Sequence, residues 1–339
     1  MKRLVLIAAA AAAFSGAAAA QQTVTLKVHS FSSALAPEAV HHMLPLIEKL
    51  DKDSGGRLKL EFYPSMQLGG KPGDLIQQME DGVVDIVITI PGLTPGRFAG
   101  LEGTELPFTN VGTSAGQTAA MLEWVNKWLL TSDFKNIKIV HMHTTDAAVL
   151  HMRAKQVKTL ADFKGMKVRV PGRFVGEAVK ALGGTPVGVP LGGIYEALER
   201  GQIDAMTINW AIMTPYKFQE VTKYHLETPV YQNAIMTLMR QASYDKLPAD
   251  LKKVLDSNIG IEYSVGIARK VDELTGPAKK AIAAHGNVIY SIPDAERARW
   301  IAAVQPVYAL WIQEMNKRGL PGQQMFDDLL ARTAKYGRK

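Results

Sequence analysis

The chain has 339 residues, of which 47% are hydrophobic and 21% charged, so it is long enough for two folded domains and too apolar for intrinsic disorder. Its net charge of +7 is spread thinly, with no run of Lys or Arg longer than two. This distribution argues against nucleic-acid binding and suits small anions. The sequence contains no Cys, which excludes disulfides, Cys nucleophiles and Cys-bound metals.

The N-terminus has the pattern of a secretory signal peptide. Lys2 and Arg3 precede an apolar run, and small residues follow as far as Ala20, after which we expect cleavage. A membrane anchor is the alternative, but the apolar run is short and no Cys follows to carry a lipid. Without residues 1–20 the charge is 37 − 32 = +5. We therefore expect a protein exported to the periplasm of a Gram-negative bacterium.

Alternating strands and helices follow the signal peptide. Short apolar runs and period-2 patterns predict strands, and helical periodicity predicts helices between several of them. The predicted strands are 23–29, 57–63, 84–90, 137–143, 149–153, 166–170 and 204–209, and the predicted helices are 37–52, 72–81, 114–130, 174–182 and 193–200. This order predicts an α/β fold with largely parallel sheets. The C-terminal third is predicted to be helical, with one long helix over 248–275 and two more over 293–317 and 323–336.

Two segments share one sequence pattern. Leu75–Ile86 and Leu191–Ala205 each consist of a helix, a Gly, two further residues and an Asp that opens a strand. The glycine suits a left-handed helix C-cap. Coincidence is the alternative, because this pattern is common in α/β proteins. A duplication instead predicts two similar lobes with a ligand in the cleft between them, beyond the carboxyl ends of the strands.

Motifs of enzymes and of metal sites are weak. Ser114 is the central residue of a G-x-S-x-G pattern, but no strand precedes it, and Gln117 indicates a helix-capping role for Ser114. His141 and His143 share a strand face without an evident carboxylate partner, so hydrogen bonding within the protein is favoured over a metal site. We expect neither a metal nor a cofactor.

Arginines late in strands are the strongest binding signal. Arg153 ends one predicted strand, and Arg169 lies late in the next. A guanidinium at such a position is partly desolvated and needs a planar anion. A salt bridge within the protein explains either arginine alone, whereas the pair suggests convergence on one ligand carboxylate. Asn209 and Trp210 end the strand 204–209 and would add hydrogen-bond donors and a flat surface to the same cleft.

Several segments resemble the substrate-binding proteins of tripartite ATP-independent periplasmic (TRAP) transporters, the DctP family. They are Phe62–Gly70, Leu150–Arg153, Asp162–Pro171, and Tyr195–Leu198 with Gly201–Asp204, and the most specific part is Lys-Val-Arg-Val-Pro at 167–171. The resemblance implies a two-lobed type II periplasmic binding protein with a cleft between the lobes and a long helix that spans both. Lobe I would comprise residues 21–147 with about 236–276, and lobe II residues 148–235 with about 277–339. Such a protein would act as a monomer that passes an organic acid to a small and a large membrane subunit.

The resemblance also implies roles for individual residues. Arg169 would hold the ligand carboxylate, Arg153 matches a second arginine of the family, and Asn209 matches a polar residue of the cleft. Position alone adds three candidates to these, namely Phe31, Arg97 and Trp210.

The identity of the ligand stays open at this point, because Gly193 and Ala205 depart from the family pattern. Apolar residues near the expected cleft favour an aromatic or branched acid over a small dicarboxylate; these are Met142, Met206, Trp210 and Met213. Two other functions stay open as well: a secreted serine hydrolase that uses Ser114, and a ligand-sensing protein with a different membrane partner.

Overall fold

The computed structural model describes residues 22–110 and 112–337, so the predicted signal peptide lies outside the described residues. The strands are β1 (Val24–Ser30), β2 (Leu58–Tyr63), β3 (Ile86–Thr89), β4 (Ile137–Thr144), β5 (Ala148–Met152), β6 (Lys167–Val170), β7 (Thr185–Gly188), β8 (Ala205–Asn209), β9 (Tyr224–Tyr231), β10 (Ala234–Arg240) and β11 (Val288–Tyr290). The α-helices are α1 (Leu44–Asp53), α2 (Leu75–Glu80), α3 (Ser114–Trp128), α4 (Leu160–Phe163), α5 (Arg173–Ala181), α6 (Ile194–Glu199), α7 (Gln241–Asp245), α8 (Ala249–Asp256), α9 (Ile261–Ala284), α10 (Asp294–Lys317) and α11 (Gly322–Tyr336).

The strands form two sheets. Sheet I has the order β2-β1-β3-β10-β4, and sheet II has the order β11-β9-β5-β8-β6-β7. We call the half built on sheet I lobe I and the half built on sheet II lobe II. The α/β class is therefore confirmed, and the sheets are largely parallel as expected. One strand of each sheet is reversed: β10 runs antiparallel to β3 and β4, and β5 runs antiparallel to β8 and β9. The chain crosses between the sheets three times, from β4 to β5, from β9 to β10, and from β10 through α9 to β11.

The two lobes repeat one arrangement. Five strands of sheet II, in the order β7-β6-β8-β5-β9, match the five strands of sheet I in order and direction. The Asp85 carboxylate accepts a hydrogen bond from the Lys27 backbone N–H at 2.9 Å, and the Asp204 carboxylate accepts one from the Lys167 backbone N–H at 2.8 Å. The glycines three residues before these aspartates have φ values of 78° and 67°. The shared sequence pattern thus corresponds to a shared structure, which supports a duplication.

Helices of the C-terminal third join the lobes. The prediction of a single helix over 248–275 is wrong. The helix is interrupted between α8 and α9, at Gly260, whose φ is 114°, and α9 extends past residue 275 through Pro277. α9 packs against β4 of lobe I and against β11 of lobe II, so it spans both lobes. α10 packs on α5, whereas α11 packs on α3 of lobe I, although the prediction places all of 277–339 in lobe II. No helix in the described ranges has the length and apolar character that a membrane crossing needs.

Candidate ligand-binding site

A cavity lies between the two sheets, at the edges where β1, β6 and β8 end. It encloses about 570 Å³ of space that no atom fills, part of which is open to solvent. Most of its wall is apolar and comes from both lobes, with Phe31, Ile90 and Ile235 on one side and Leu191, Ile208 and Ile212 on the other.

Arg169 is the cationic group of this cavity. Its side chain is buried, and its Nε donates to the Val189 carbonyl oxygen at 3.0 Å while Nη1 donates to the Thr207 carbonyl oxygen at 3.4 Å. Among the described residues no carboxylate pairs with this guanidinium, and burial lowers its pKa because desolvation disfavours the charge. A buried charge without a counterion is unfavourable. The site therefore suits an anionic ligand group.

Asn209 lies at the end of β8, beside β6, and lines the same cavity. Its Nδ2 donates to Asp146 Oδ1 at 2.5 Å, and the other carboxylate oxygen of Asp146 accepts the backbone N–H groups of Trp210 at 2.9 Å and Ala211 at 3.2 Å. Burial raises the pKa of Asp146 to about 6 against the opposing effect of these hydrogen bonds. Asp146 thus fixes the orientation of an amide that faces the ligand space.

Lobe I contributes two titratable side chains to the cavity, Glu38 and His143. His143 Nδ1 lies 2.7 Å from His141 Nε2, and the ring of His141 stacks on that of His42 at 3.9 Å between centroids. Burial lowers the pKa of His143 and of His42 to about 3, so both rings are neutral. Burial also raises the pKa of Glu38. The lobe I side of the cavity is therefore polar but carries no positive charge.

The two lobes touch at the mouth of the cavity. A Cβ placed on Gly172 would lie 2.9 Å from the Gly92 Cα, and a Cβ placed on Gly92 would lie 2.5 Å from the Pro171 carbonyl oxygen. On another side the Ser33 N–H donates to the Tyr216 hydroxyl at 3.1 Å. These contacts bring backbone from both lobes over the cavity, so the structure is a closed form of the cleft.

Comparison with known proteins agrees with this architecture. The model of the family described as bacterial extracellular solute-binding protein, family 7 (DctP), matches residues 32–314. The chain belongs to this family. A TRAP solute-binding protein from Rhodoferax ferrireducens, solved with copurified benzoate, is 37% identical, and the match covers 93% of this chain and 99% of that one with a TM-score of 0.88.

Two further relatives have names that point to different classes of carboxylate ligand. A marine metagenome TRAP solute-binding protein specific for aromatic acid ligands, solved with 3-hydroxybenzoate, is 36% identical over 94% of this chain and 100% of its own, with a TM-score of 0.88. The C4-dicarboxylate-binding periplasmic protein DctP of Rhodobacter capsulatus is 26% identical over 266 residues, which are 77% of this chain and 78% of that protein. The predicted family and the two-lobed fold are confirmed: this chain is a TRAP solute-binding protein.

The structure brings together three of the six predicted site residues of this solute-binding protein. Phe31, Arg169 and Asn209 all line the cavity, whereas Arg153, Arg97 and Trp210 do not. The three outside the cavity each have a different physical reason for their position.

Arg153 lies at the opposite edge of sheet II. β5 runs antiparallel to β8, so the end of β5 meets the beginning of β8, and the Arg153 backbone N–H donates to the Asp204 carbonyl oxygen at 2.9 Å. Its guanidinium lies beside Gly201. Arg240 at the end of β10 is its counterpart in lobe I, with a backbone N–H bonded to the Asp85 carbonyl oxygen at 2.9 Å. The prediction that Arg153 and Arg169 converge on one carboxylate is wrong. The sequence does not show that β5 runs antiparallel to β8, which carries Arg153 to the opposite edge of the sheet.

Arg97 and Trp210 are held by other parts of the protein. Arg97 Nη2 pairs with Glu80 Oε1 at 2.9 Å, and its Nη1 donates to the Asp133 carbonyl oxygen at 2.9 Å. Trp210 is 2% exposed and packs edge-on against His151, with ring centroids 4.9 Å apart. The methionines expected near the ligand are also buried in the core rather than in the cavity wall; these are Met142, Met206 and Met213.

Ser114 has no feature of a nucleophile. It is buried, its Oγ donates to the Thr144 carbonyl oxygen, and its backbone N–H donates to Asp272 Oδ1 at 2.7 Å. The helix cap is the preceding residue, Thr113, whose side chain accepts the Gly116 N–H at 3.1 Å, so the predicted cap was misplaced by one residue. Within residues 22–110 and 112–337 no group of three His, Asp or Glu side chains is placed to hold a metal.

Sequence reasoning missed three cavity-related residues. His143 carried a visible signal, since His141 and His143 share a strand face and do hydrogen-bond to each other. Glu38 and Asp146 carried none, because their burial depends on packing between distant segments. A lone acidic residue is most often exposed.

Proposed function

We propose that this TRAP solute-binding protein captures an organic acid between its lobes and delivers it to a small and a large membrane subunit, without catalysing a reaction. The observation that carries the proposal is Arg169, a buried guanidinium in a cavity without a protein counterion. A ligand carboxylate would accept hydrogen bonds from this guanidinium and from the Asn209 amide. Charge-assisted bonds of this kind are among the stronger polar contacts in proteins.

The cavity favours a monocarboxylate with an apolar body. Of the described residues that line it, Arg169 alone carries a permanent positive charge, so a second carboxylate would be buried without a partner. The facing walls of Phe31, Ile90, Ile208 and Ile212 suit a flat ring. The benzoate and 3-hydroxybenzoate bound by relatives that are 37% and 36% identical support the same class. We therefore infer an aromatic monocarboxylate.

Binding would be coupled to closure of the cleft. Arg169 and Asn209 belong to lobe II, whereas Phe31 and Ile235 belong to lobe I, so a ligand completes its contacts only when the lobes meet. A ligand that contacts both lobes stabilises the closed form over the open one. The mature protein, cleaved after Ala20, would do this as a periplasmic monomer.

Isothermal titration calorimetry with benzoate and with succinate tests the proposal. We expect benzoate to bind and succinate to bind at least tenfold more weakly, and we expect the Arg169→Ala variant to lose at least 100-fold in affinity for benzoate. Thermal unfolding without ligand is the folding check, since removal of an uncompensated buried charge leaves the fold intact.

Arg153→Ala is the matched control for this experiment. It removes the same side chain from the end of another strand of the same sheet, but outside the cavity. We expect its affinity for benzoate to equal that of the wild type. Equal affinity of Arg169→Ala and wild type for every acid that binds would contradict the proposal.

A further inference from the structure

Two polar side chains of the cavity have no role in holding a carboxylate. Arg169 and Asn209 supply the donors for that group from lobe II, whereas Glu38 and His143 belong to lobe I. A ligand whose carboxylate lies at Arg169 therefore presents its far end to Glu38 and His143.

A chain of hydrogen bonds links His143 through His141 to Ser264. The Met142 backbone N–H donates to Ser264 Oγ at 3.4 Å, and Ser264 Oγ lies 3.1 Å from His141 Nδ1; we assign the Ser264 hydroxyl as the donor of this second bond. A neutral His141 then has its proton on Nε2 and donates it to His143 Nδ1, which lies 2.7 Å away. His143 in turn holds its own proton on Nε2. The cavity thus receives a fixed N–H donor from lobe I.

Glu38 complements this donor. It is 5% exposed and lies one helical turn before His42, whose ring stacks on His141, so it belongs to the same polar cluster. No lysine or arginine of the described residues affects its pKa, which burial raises. A buried carboxyl group without a cationic partner accepts hydrogen bonds readily, and in its neutral form it also donates one.

We propose that Glu38 and His143 form a hydroxyl-binding subsite and that the ligand is an aromatic monocarboxylate with a ring hydroxyl in the meta or para position. The phenolic oxygen accepts the His143 Nε2–H and its hydrogen is donated to the Glu38 carboxyl group. This inference rests on the proposed function, because Arg169 must hold the carboxylate for the ring hydroxyl to reach lobe I. Besides its hydrogen bond with Ser32, the Glu38 carboxyl group has further capacity, and His143 Nε2 is not used by His141. Unsubstituted benzoate would leave this capacity and His143 Nε2 without a ligand partner, and sites of this kind reject ligands that lack the bonded group.

Calorimetric titration of the full mature protein with four acids tests the subsite. The ligands are benzoate and its 2-, 3- and 4-hydroxy derivatives. We expect the 3- or the 4-hydroxy acid to bind at least tenfold more tightly than benzoate. The 2-hydroxy acid is the matched control, because its hydroxyl lies beside the carboxylate and away from lobe I, and we expect it to show no such gain.

Two variants locate the effect. Glu38→Leu and His143→Leu should each reduce the preference for the hydroxylated acid over benzoate about tenfold. Arg153→Ala should keep the full preference. Equal binding of benzoate and all three hydroxy acids by the wild type, or an unchanged preference in both variants, would overturn the subsite.

The outcomes separate this inference from the proposed function. Benzoate binding that depends on Arg169 but is insensitive to ring hydroxyls removes the subsite and leaves the carboxylate site standing. Loss of all acid binding in wild-type protein that is folded and stripped of carried-over ligand would remove both. The comparison of ligands on the wild type decides the question even if one variant does not fold.

Discussion

Asp146 shows how a residue outside the ligand space can control binding. It lies at the crossover from β4 to β5, where the chain passes from lobe I to lobe II, and its carboxylate is held by Asn209, Trp210 and Ala211. Its carboxylate accepts one amide hydrogen of Asn209, which leaves the second amide hydrogen and the amide oxygen of Asn209 available to a ligand. Asp146 is thus a positioning residue rather than a ligand contact.

Asp146→Asn should weaken benzoate binding about tenfold at pH 7.5, because an amide cannot accept all three of the hydrogen bonds that the carboxylate accepts. Burial raises the pKa of Asp146 to about 6, so protonation of the wild type below that pH removes the same charge. Wild-type affinity should therefore approach that of the variant as the pH falls from 7.5 to 5.5, while the variant changes little.

Titration calorimetry at the two pH values measures this effect, and Asp133→Asn is its control. Asp133 is also buried and accepts a backbone N–H, from Leu101 at 2.9 Å, but it lies outside the cavity. We expect Asp133→Asn to bind benzoate as the wild type does. Equal loss in both variants would mean that stability, and not the position of Asn209, explains the result.

At the scale of elements, two glycine turns decide whether the lobes can close. Gly92 follows β3 and Gly172 precedes α5, and neither leaves room for a Cβ against the backbone of the other lobe. Backbone atoms cannot yield as a flexible side chain can, so the overlap must be relieved by separation of the lobes.

Gly172→Ala should therefore weaken ligand binding at least tenfold without loss of thermal stability. Small-angle X-ray scattering should show that the ligand compacts the wild type but not the variant. Gly188→Ala is the control, because it adds the same methyl group to lobe II at a position where nothing lies within 4 Å. A ligand-induced compaction of Gly172→Ala equal to that of the wild type would disprove this role of the glycine turn.

Sequence patterns located most elements but not their relative directions. The strand at Lys167–Val170 was predicted from its apolar run, and Arg169 reaches the cavity because β6 runs parallel to β8. The strand at Ala148–Met152 was predicted equally well, yet β5 runs the other way and carries Arg153 to the far edge. An apolar run contains no information about direction, which follows from the crossover between the sheets. The sequence prediction lacks four strands, β7, β9, β10 and β11.

The site was predictable only in so far as local sequence determines it. Arg169 and Asn209 lie at the ends of strands that carry family motifs, so both were identified. Glu38, Asp146 and the proton arrangement of His143 depend on packing between segments that are distant in the chain. Such pairings leave no periodic signal in the sequence.

The two lobes are copies of one α/β unit, and they are joined beside the cavity. The Thr145 N–H, in the crossover from β4 to β5, donates to the Asn233 carbonyl oxygen, in the crossover from β9 to β10, at 2.9 Å, and both residues line the cavity. These two crossovers therefore lie next to the cavity, so a small rotation about them moves both of its walls.

Five buried histidines make the stability of the whole molecule dependent on pH. Burial lowers the pKa of His42 and His143 to about 3 and that of His225 to about 4, and it lowers the pKa of His141 and His151 well below the ordinary value of 6.5. The unfolded chain takes up these protons below pH 6.5, whereas the folded chain does not. The stability that the histidines contribute is thus fully present above pH 6.5 and is lost as the pH falls toward the lowered values.

Buried carboxyl groups oppose this trend in part. Burial raises the pKa of Glu105 to about 8 and that of Asp146 to about 6, so their contribution is lost as the pH rises. Between pH 7 and pH 5 Glu105 is protonated in the folded protein but largely ionised in the unfolded chain, so it opposes the histidines over the whole range, and Asp146 opposes them as it titrates. Burial also raises the pKa of Glu38, Asp133 and Asp272. The five histidines outnumber the two carboxyl groups with large shifts, so we expect a net fall in stability on acidification that is smaller than the histidines alone would give.

Urea unfolding at pH 7 and pH 5 should show a free energy of unfolding that is lower at pH 5 by several kcal/mol, on the order of 1 kcal/mol for each histidine. His143→Leu should reduce this difference by the share of one histidine, because the variant has one proton fewer to take up on unfolding. His285→Gln is the control, since His285 is exposed and should leave the difference unchanged. A difference between the two pH values that His143→Leu leaves unchanged would mean that His143 is already protonated within the fold at pH 5, and the neutral donor that His143 offers to the ligand would be lost with it.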